Sequence, residues 1–149
     1  MALYDRDFYA WTQEQAALLK SGQWDRLDIP NLVEEIEALG RQERRELVNR
    51  LAILVGHLLK WQFQPQQRSK SRTAIIIEQR QEVQELIADN PSLKSYLVEA
   101  MNKAYQKSIL LVIRETPLSL DDLPAQCPYT LDQVMDPDFY PEQENPQWR

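Results

Sequence analysis

The sequence of 149 residues contains only three glycines, one cysteine and one histidine. Glycines at positions 22, 40 and 56 alone cannot build a Gly-rich phosphate loop, and three are too few for a turn-rich β fold. The single cysteine, Cys127, excludes an internal disulfide and suits a reducing compartment. The single histidine, His57, cannot complete the two Glu-x-x-His motifs of di-metal four-helix proteins. We therefore predict neither a metal nor a cofactor.

Long hydrophobic runs are also missing. The longest, "LAILVGHLL" and "SILLVI", are far shorter than the roughly 20 residues that a membrane span needs. The N-terminal stretch "MALYDRDFYAW" carries charge early and has no signal-peptide apolar core. We expect a soluble cytoplasmic protein without a membrane partner. Apolar residues make up 43% and charged residues 27%, which is typical of one globular domain, here over residues 1–149.

Apolar residues recur with helical spacing and predict an all-α bundle of four or five helices. Asp5 or Asp7 can cap the first helix, and Gly22 can end it. The next pattern runs from Pro30 to Pro65, where Gly40 is able to split or bend the helix. Two further helices are predicted, at 73–88 and from about Pro91 to just before Thr116.

The C-terminal segment differs in composition from the predicted bundle of residues 1–116. Residues 117–149 hold six of the nine prolines, and seven acidic residues against one basic residue. Residues 60–80 instead hold five basic residues and one acidic residue. Thr130 and Gln133 have capping-box spacing, which predicts one helical turn. We expect 117–149 to form an irregular acidic arm that docks on the helices near the basic segment.

Arg50 and His57 are the candidate catalytic residues. They lie seven positions apart in a helical pattern, and this Arg-x6-His spacing resembles the signature of the helical HEPN ribonucleases. The resemblance implies that the arginine binds phosphate and that the histidine serves in acid–base chemistry, for which its near-neutral pKa is suited. The alternative is a structural histidine at the core edge that packs on Trp61 and hydrogen-bonds a carboxylate.

Two charged stretches are candidate binding sites. In "WQFQPQQRSKSR", Trp61, Arg68, Lys70 and Arg72 could stack on a base and track phosphates. The alternative is a solvated loop, and the net charge of −6 makes nucleic acid the less favoured partner. Glu34, Glu35 and Glu37 could bind Mg²⁺, but the favoured interpretation is that they form the solvated first turns of a helix.

Several phrases of the sequence carry a family resemblance. They are "YDRDFYAWTQEQAALLKSGQWDRLDIPNLVEEIEALG", "HLLKWQFQP", "RSKSR", "PSLKSYL" and "CPYTLDQVMDPDFYP". In this order they resemble the mostly cyanobacterial family known as domain of unknown function 29. Arg72 stands where that family commonly has a tryptophan. The resemblance implies an all-helical bacterial cytoplasmic protein and supplies no catalytic residues.

Taken together, these features favour a non-enzymatic interaction module over an enzyme. Tyr, Trp and Arg, which are common interface anchors, are plentiful in the chain. We expect a protein partner or a homo-oligomer to cover the aromatic residues of the first helix and of the arm. The alternative is a HEPN-like ribonuclease, or another enzyme that processes nucleic acids, using Arg50 and His57.

Overall fold

A computed structural model describes residues 1–142, so the last part of the predicted arm, 143–149, lies outside the described residues. Residues 1–142 form helices and no strand, which confirms the all-α prediction. The chain divides into two compact units, Met1–Gln42 and a second unit that begins at Glu43. No helix within 1–142 is long and apolar enough to cross a membrane.

Six α-helices occur in the described residues. They are α1 Leu3–Arg6, α2 Phe8–Lys20, α3 Ile29–Phe63, α4 Lys70–Asp89, α5 Leu97–Glu115 and α6 Leu131–Met135. Short 3₁₀ helices lie at Trp24–Arg26, Pro65–Gln67, Pro91–Tyr96 and Leu120–Asp122. Pro91 therefore begins a 3₁₀ helix, and the α-helical part that follows starts six residues later than the pattern suggested.

Local sequence signals explain several helix ends. The Asp7 side chain accepts a hydrogen bond of 3.0 Å from the Ala10 amide, and this caps α2. Gly22 follows α2 with φ of 72°, a left-handed conformation that glycine adopts readily. Thr130 and Gln133 form the predicted capping box, which begins α6.

Helix α3 is continuous through Gly40 for 35 residues, so the glycine does not divide it. A glycine inside a helix costs only about 1 kcal/mol relative to alanine, and the helix formers on both sides offset this. Among residues 1–142, leaving aside the adjacent residues and the helix backbone, no atom lies within 4 Å of the position that a Cβ of Gly40 would occupy. The helix surface is therefore open at this point.

In the unit Met1–Gln42, α1 and α2 bring three aromatic rings together. The ring centroids of Tyr4 and Trp11 are 4.8 Å apart, and those of Phe8 and Trp11 are 5.6 Å apart. The Trp11 indole N–H donates to an Asp28 carboxylate oxygen at 2.9 Å. The Asp28 amide in turn donates to Gln15 Oε1 at 2.8 Å. These polar contacts fix the chain at the start of α3.

In the second unit, the C-terminal half of α3 is surrounded on nearly all sides. The residues of α3 that are buried there include polar ones, and together they are Leu47, Val48, Leu51, Ala52, Leu54, Val55, Gly56, His57, Leu58, Leu59, Lys60, Gln62 and Phe63. A helix buried around its whole circumference occupies the centre of a core. Ile76 and Val83 of α4, and Ala104 and Val112 of α5, also lie in this core.

The chain beyond α5 packs on the same core. Val134 is fully buried, and the Tyr129 hydroxyl donates to Gln62 Oε1 at 2.6 Å. The ring centroids of Trp61 and Tyr140 are 5.1 Å apart. The aromatic residues Tyr129 and Tyr140 of the arm therefore pack against the core, whereas we expected a partner molecule to cover them.

Candidate functional site

Arg50 lies on α3 beside two carboxylates. Its Nε is 2.9 Å from Glu46 Oε1, and its Nη2 is 3.9 Å from Glu82 Oε2 on α4. The guanidinium is about one-third exposed. The positive charge of Arg50, which the ribonuclease hypothesis assigns to phosphate binding, is therefore paired with these two carboxylates.

His57 is almost completely buried, at 8% exposure. Its Nδ1 lies 2.9 Å from the carbonyl oxygen of Ile53, so its observed partner is a backbone carbonyl and not the expected carboxylate. Desolvation lowers the pKa of His57 below its ordinary value of 6.5, although the Ile53 contact works in the opposite direction. Lys60 and Arg72 lower this pKa further, whereas Glu115 raises it. A neutral imidazole that donates from Nδ1 to Ile53 fits this environment.

The catalytic pair Arg50 and His57 stays a prediction. Neither residue lines either of the two surface clefts described below.

Within residues 1–142, no three His, Cys, Asp or Glu side chains are grouped so that they could hold a metal ion. The acidic side chains of early α3 make local contacts instead, since Glu35 accepts from the Tyr4 hydroxyl and Glu34 pairs with Arg41 at 3.3 Å. The Glu35 contact raises the pKa of Tyr4 to about 12.

Two of the predicted phosphate-binding arginines cap the C-terminal end of α3. Arg68 Nε donates to the Trp61 carbonyl at 2.9 Å, and Arg72 Nη1 donates to the Lys60 carbonyl at 3.4 Å. Arg72 Nη2 also donates to Gln64 Oε1 at 2.9 Å. The last carbonyls of a helix have no partner within the helix, and cations are favoured at this end. Arg68 and Arg72 thus have a structural role at the C-terminal end of α3.

An open cleft lies beside these arginines and brings together three of the four predicted binding residues. It has a volume of about 420 Å³ and is lined by Trp61, Arg68, Ser69, Lys70, Thr73, Ala74 and Ile77. Arg72 does not line it. The Arg68 guanidinium lies 5.2 Å from the Trp61 ring centroid, so a cation already occupies one face of the indole.

A larger cleft of about 660 Å³ lies between α5 and the chain that follows it. Its lining is uncharged and consists of Val98, Met101, Asn102, Tyr105, Gln106, Ala125, Gln126, Cys127, Tyr129 and Leu131. Burial raises the pKa of the Cys127 thiol, and Cys127 Sγ lies 3.5 Å from the Tyr129 carbonyl oxygen. The cysteine is therefore held as a thiol, the less nucleophilic form.

Lys60 and Glu115 form a partly buried ion pair that the sequence analysis did not identify. Lys60 Nζ lies 2.8 Å from Glu115 Oε1, and only 6% of the lysine side chain is exposed. This contact lowers the pKa of Glu115. Glu115 ends α5 and Lys60 lies near the end of α3, so the pair joins the ends of two core helices.

Apolar side chains are exposed along the N-terminal part of α3. Ile29, Val33, Ile36 and Leu39 all have roughly half or more of their surface exposed, and Ile36 reaches 66%. Positions 29, 33 and 36 are separated by four and three residues, so they lie on one face of the helix. We call this set of four residues the α3 apolar face.

Residues 1–142 thus form an all-α protein whose long helix α3 exposes apolar side chains in its N-terminal part. The chain matches the family model described as "Domain of unknown function DUF29" over residues 3–140. The chain therefore belongs to the DUF29 family, as its sequence phrases suggested. No curated protein and no solved structure matches it.

Proposed function

We propose that the protein is a non-enzymatic interaction module, and that the α3 apolar face binds the surface of another protein molecule. The observation that carries this proposal is the exposure of Ile29, Val33 and Ile36 along one helix face. Contiguous exposed apolar surface on a water-soluble helix commonly marks a protein contact site.

The helical phase of α3 supports the proposal. Continuing from Ile36 in steps of four and three residues leads through Gly40 and Glu43 to Leu47, Leu51, Leu54 and Leu58. All four leucines are fully buried. The N-terminal part of α3 thus continues the side-chain pattern of a core-facing helix, but its apolar residues face solvent. A repeat of alternating three- and four-residue steps is the pattern by which helices pack against one another.

Burial of the α3 apolar face would favour binding. Complete burial of a Val, Leu or Ile side chain stabilises by about 1.5–3 kcal/mol relative to exposure. Four such side chains, even when half-buried already, offer several kcal/mol to set against the loss of translational freedom on association. The exposed rings of Tyr9 and Trp24 in the same unit are additional anchors of the kind that interfaces favour.

The test compares wild type with Ile36→Lys, which places a charge in the middle of the α3 apolar face. Gln84→Lys on α4 is the matched control, because Gln84 is exposed and belongs to the second unit. Tagged proteins are recovered from native lysate, and the solution mass of each is measured by light scattering.

We expect wild type and the Gln84→Lys control to retain the same stoichiometric protein, or a second copy of the chain. Ile36→Lys should lose it while remaining folded. A monomeric wild type that retains nothing sensitive to Ile36→Lys would contradict the proposal.

A further inference from the structure

We propose that the cleft between α5 and the chain that follows it binds an extended, uncharged peptide segment of a partner protein. We call this cleft, whose volume is about 660 Å³, the α5 cleft. Its lining residues belong to the second unit and include none from the α3 apolar face. The inference therefore goes beyond the proposed function and does not depend on it.

The walls of the α5 cleft carry no charge. Its ten lining residues are apolar, aromatic or amide side chains, apart from the Cys127 thiol. A Lys, Arg, Asp or Glu side chain that entered the cleft would lose hydration without gaining an ionic partner, which is unfavourable. The lining therefore selects uncharged ligands.

The bottom of the cleft presents ring and thioether surfaces. Met101, Tyr105 and Tyr129 line it, and each is at most 9% exposed. The two hydroxyls are used inside the protein, since Tyr105 donates to the Pro124 carbonyl at 2.5 Å and Tyr129 donates to Gln62 Oε1 at 2.6 Å. Apolar side chains of a ligand can therefore pack on this surface, and methionine adapts its shape to different partners.

Three carboxamide side chains lie at the rim of the cleft. Asn102 and Gln106 belong to α5, and Gln126 belongs to the chain that follows. All three residues are exposed, and none of their side chains hydrogen-bonds to another residue within 1–142. A carboxamide has both donors and acceptors, and so it complements the N–H and C=O groups of a peptide backbone.

The spacing of the two amides on α5 matches the repeat of an extended peptide. Asn102 and Gln106 are four positions apart, so they lie on one side of the helix and about 6 Å apart along its axis. The backbone groups that point to one edge of an extended chain recur every two residues, at about 6.6–6.8 Å. Each amide can therefore bind one residue of that edge, while alternate side chains of the peptide point to the bottom of the cleft.

The length of the cleft sets the length of the bound segment. Its α5 lining runs from Val98 to Gln106, eight steps along the helix or about 12 Å. An extended peptide advances about 3.3 Å per residue, so about four residues fit. The ligand is thus a segment of this length, uncharged, with apolar side chains at alternate positions.

Peptide selection on the purified full chain tests the proposal. Phage that display random heptapeptides are selected on wild type and depleted on Asn102→Ala/Gln106→Ala, which should fold because both side chains are exposed. We expect the enriched sequences to share a core of uncharged residues. The best peptide, synthesised with both ends capped, should bind the double variant at least about ten-fold more weakly, because each net hydrogen bond contributes about five-fold.

Two control variants locate the effect. Gln84→Ala replaces an exposed amide on α4 and should bind the capped peptide as wild type does. Ile36→Lys should also bind it normally, because the α3 apolar face is a different surface. Equal weakening in Gln84→Ala and in the double variant would overturn the assignment to the α5 cleft.

Methylation of the peptide backbone tests the extended conformation. Each N–H of the core is methylated in turn, which removes one donor. Affinity should fall by about five-fold or more at every second position and persist at the positions between, because only one edge of the peptide is bound. Losses at consecutive positions, or at none, would overturn the extended mode of binding.

Cys127 reports whether the peptide occupies the cleft. It is the only cysteine of the chain and it lines the cleft. Its reaction with Ellman's reagent should slow as the capped peptide saturates the protein. Unchanged reactivity at saturation, enriched cores that carry charge, or no sequence enriched over the double variant would each overturn the proposal. Slowing by adenosine or cytidine, and by no selected peptide, would assign the cleft to a nucleobase and overturn it likewise.

Discussion

Lys60 Nζ and Glu115 Oε1 lie 2.8 Å apart and join two helices across 55 positions of sequence. The lysine is buried whereas the glutamate is about half exposed, so the pair is asymmetric. We predict that Glu115→Gln lowers the free energy of unfolding by about 1–3 kcal/mol, because it leaves a buried ammonium without its counter-charge. Denaturant titration measures this, with Glu78→Gln on exposed α4 surface as the control.

Lys60→Met tests the same contact from the other side. A methionine keeps most of the volume and removes the buried charge together with its desolvation penalty. We therefore expect Lys60→Met to be less destabilising than Glu115→Gln. The reverse order in chemical denaturation would show that the ion pair contributes more than its burial costs.

His57 should make stability depend on pH near neutrality. Its folded-state pKa is lowered, so the unfolded chain binds the proton more tightly. The stabilising contribution is fully present above the ordinary value of 6.5 and is lost as the pH falls toward the lower folded value. The slope cannot exceed about 1.4 kcal/mol per pH unit for one proton.

Thermal unfolding between pH 7.5 and pH 5 measures this effect. We predict that His57→Gln removes most of the slope in the upper part of that range. Glu115, whose pKa is lowered, loses its own contribution in the same direction at more acidic pH. If the stability of wild type and of His57→Gln changed identically with pH, His57 would not be the source of the pH dependence.

Arg80 fastens the chain beyond α5 to α4. Its guanidinium, with the residue only 3% exposed, donates to the carbonyls of Val134 at 2.8 Å and Phe139 at 2.7 Å. Longer contacts of 3.5 Å reach the Gln133 and Pro137 carbonyls. We predict that Arg80→Met lowers the free energy of unfolding by about 3 kcal/mol, because it leaves the buried Val134 carbonyl and the partly buried Phe139 carbonyl without their hydrogen-bond donor.

In Arg80→Met, the amides of residues 129–140 should exchange their hydrogens faster than in wild type, while the core amides remain protected. Arg114→Met is a suitable control, since Arg114 is an exposed arginine in the last turn of α5. Unchanged protection of 129–140 in Arg80→Met would show that apolar contacts alone hold this segment.

Gly40 and Gly56 should respond oppositely to alanine. The Gly40 site is open, so Gly40→Ala should stabilise by about 0.5–1 kcal/mol through helix propensity. A Cβ at Gly56 would lie 3.0 Å from Leu111 Cδ2, which forces the leucine to move. Gly56→Ala should therefore be at least about 1 kcal/mol less stable than Gly40→Ala. Measuring both in the Ile36→Lys background removes any contribution from association.

The sequence predicted the helices well where one apolar face faces one core. The caps at Asp7 and Thr130 were predictable because they depend on residues three positions away. Lys60 was harder to interpret, because it lies away from the leucine stripe of α3 and is buried by other elements of the chain. The one indication that Lys60 is buried was its position at the end of an apolar run that has no polar face.

The sequence patterns also did not predict the contacts of Arg80 or the exposure of the α3 apolar face. Counting charges placed Arg80 in a basic segment, but its partners are backbone carbonyls, which carry no sequence signature. The spacing of Ile29, Val33 and Ile36 matched that of the buried leucines, so periodicity alone indicated burial for all of them. Only the packing of residues 1–142 shows which part of this row of apolar residues is exposed.

The most direct test of the interaction function is photo-cross-linking inside the cell from position 36. A photoreactive amino acid replaces Ile36, and the same residue in place of exposed Gln84 serves as the control. If the α3 apolar face binds protein, irradiation should give a discrete covalent adduct from position 36 and none from position 84. Adduct formation that is equally absent from both positions, in cells where the protein is folded, would contradict the account.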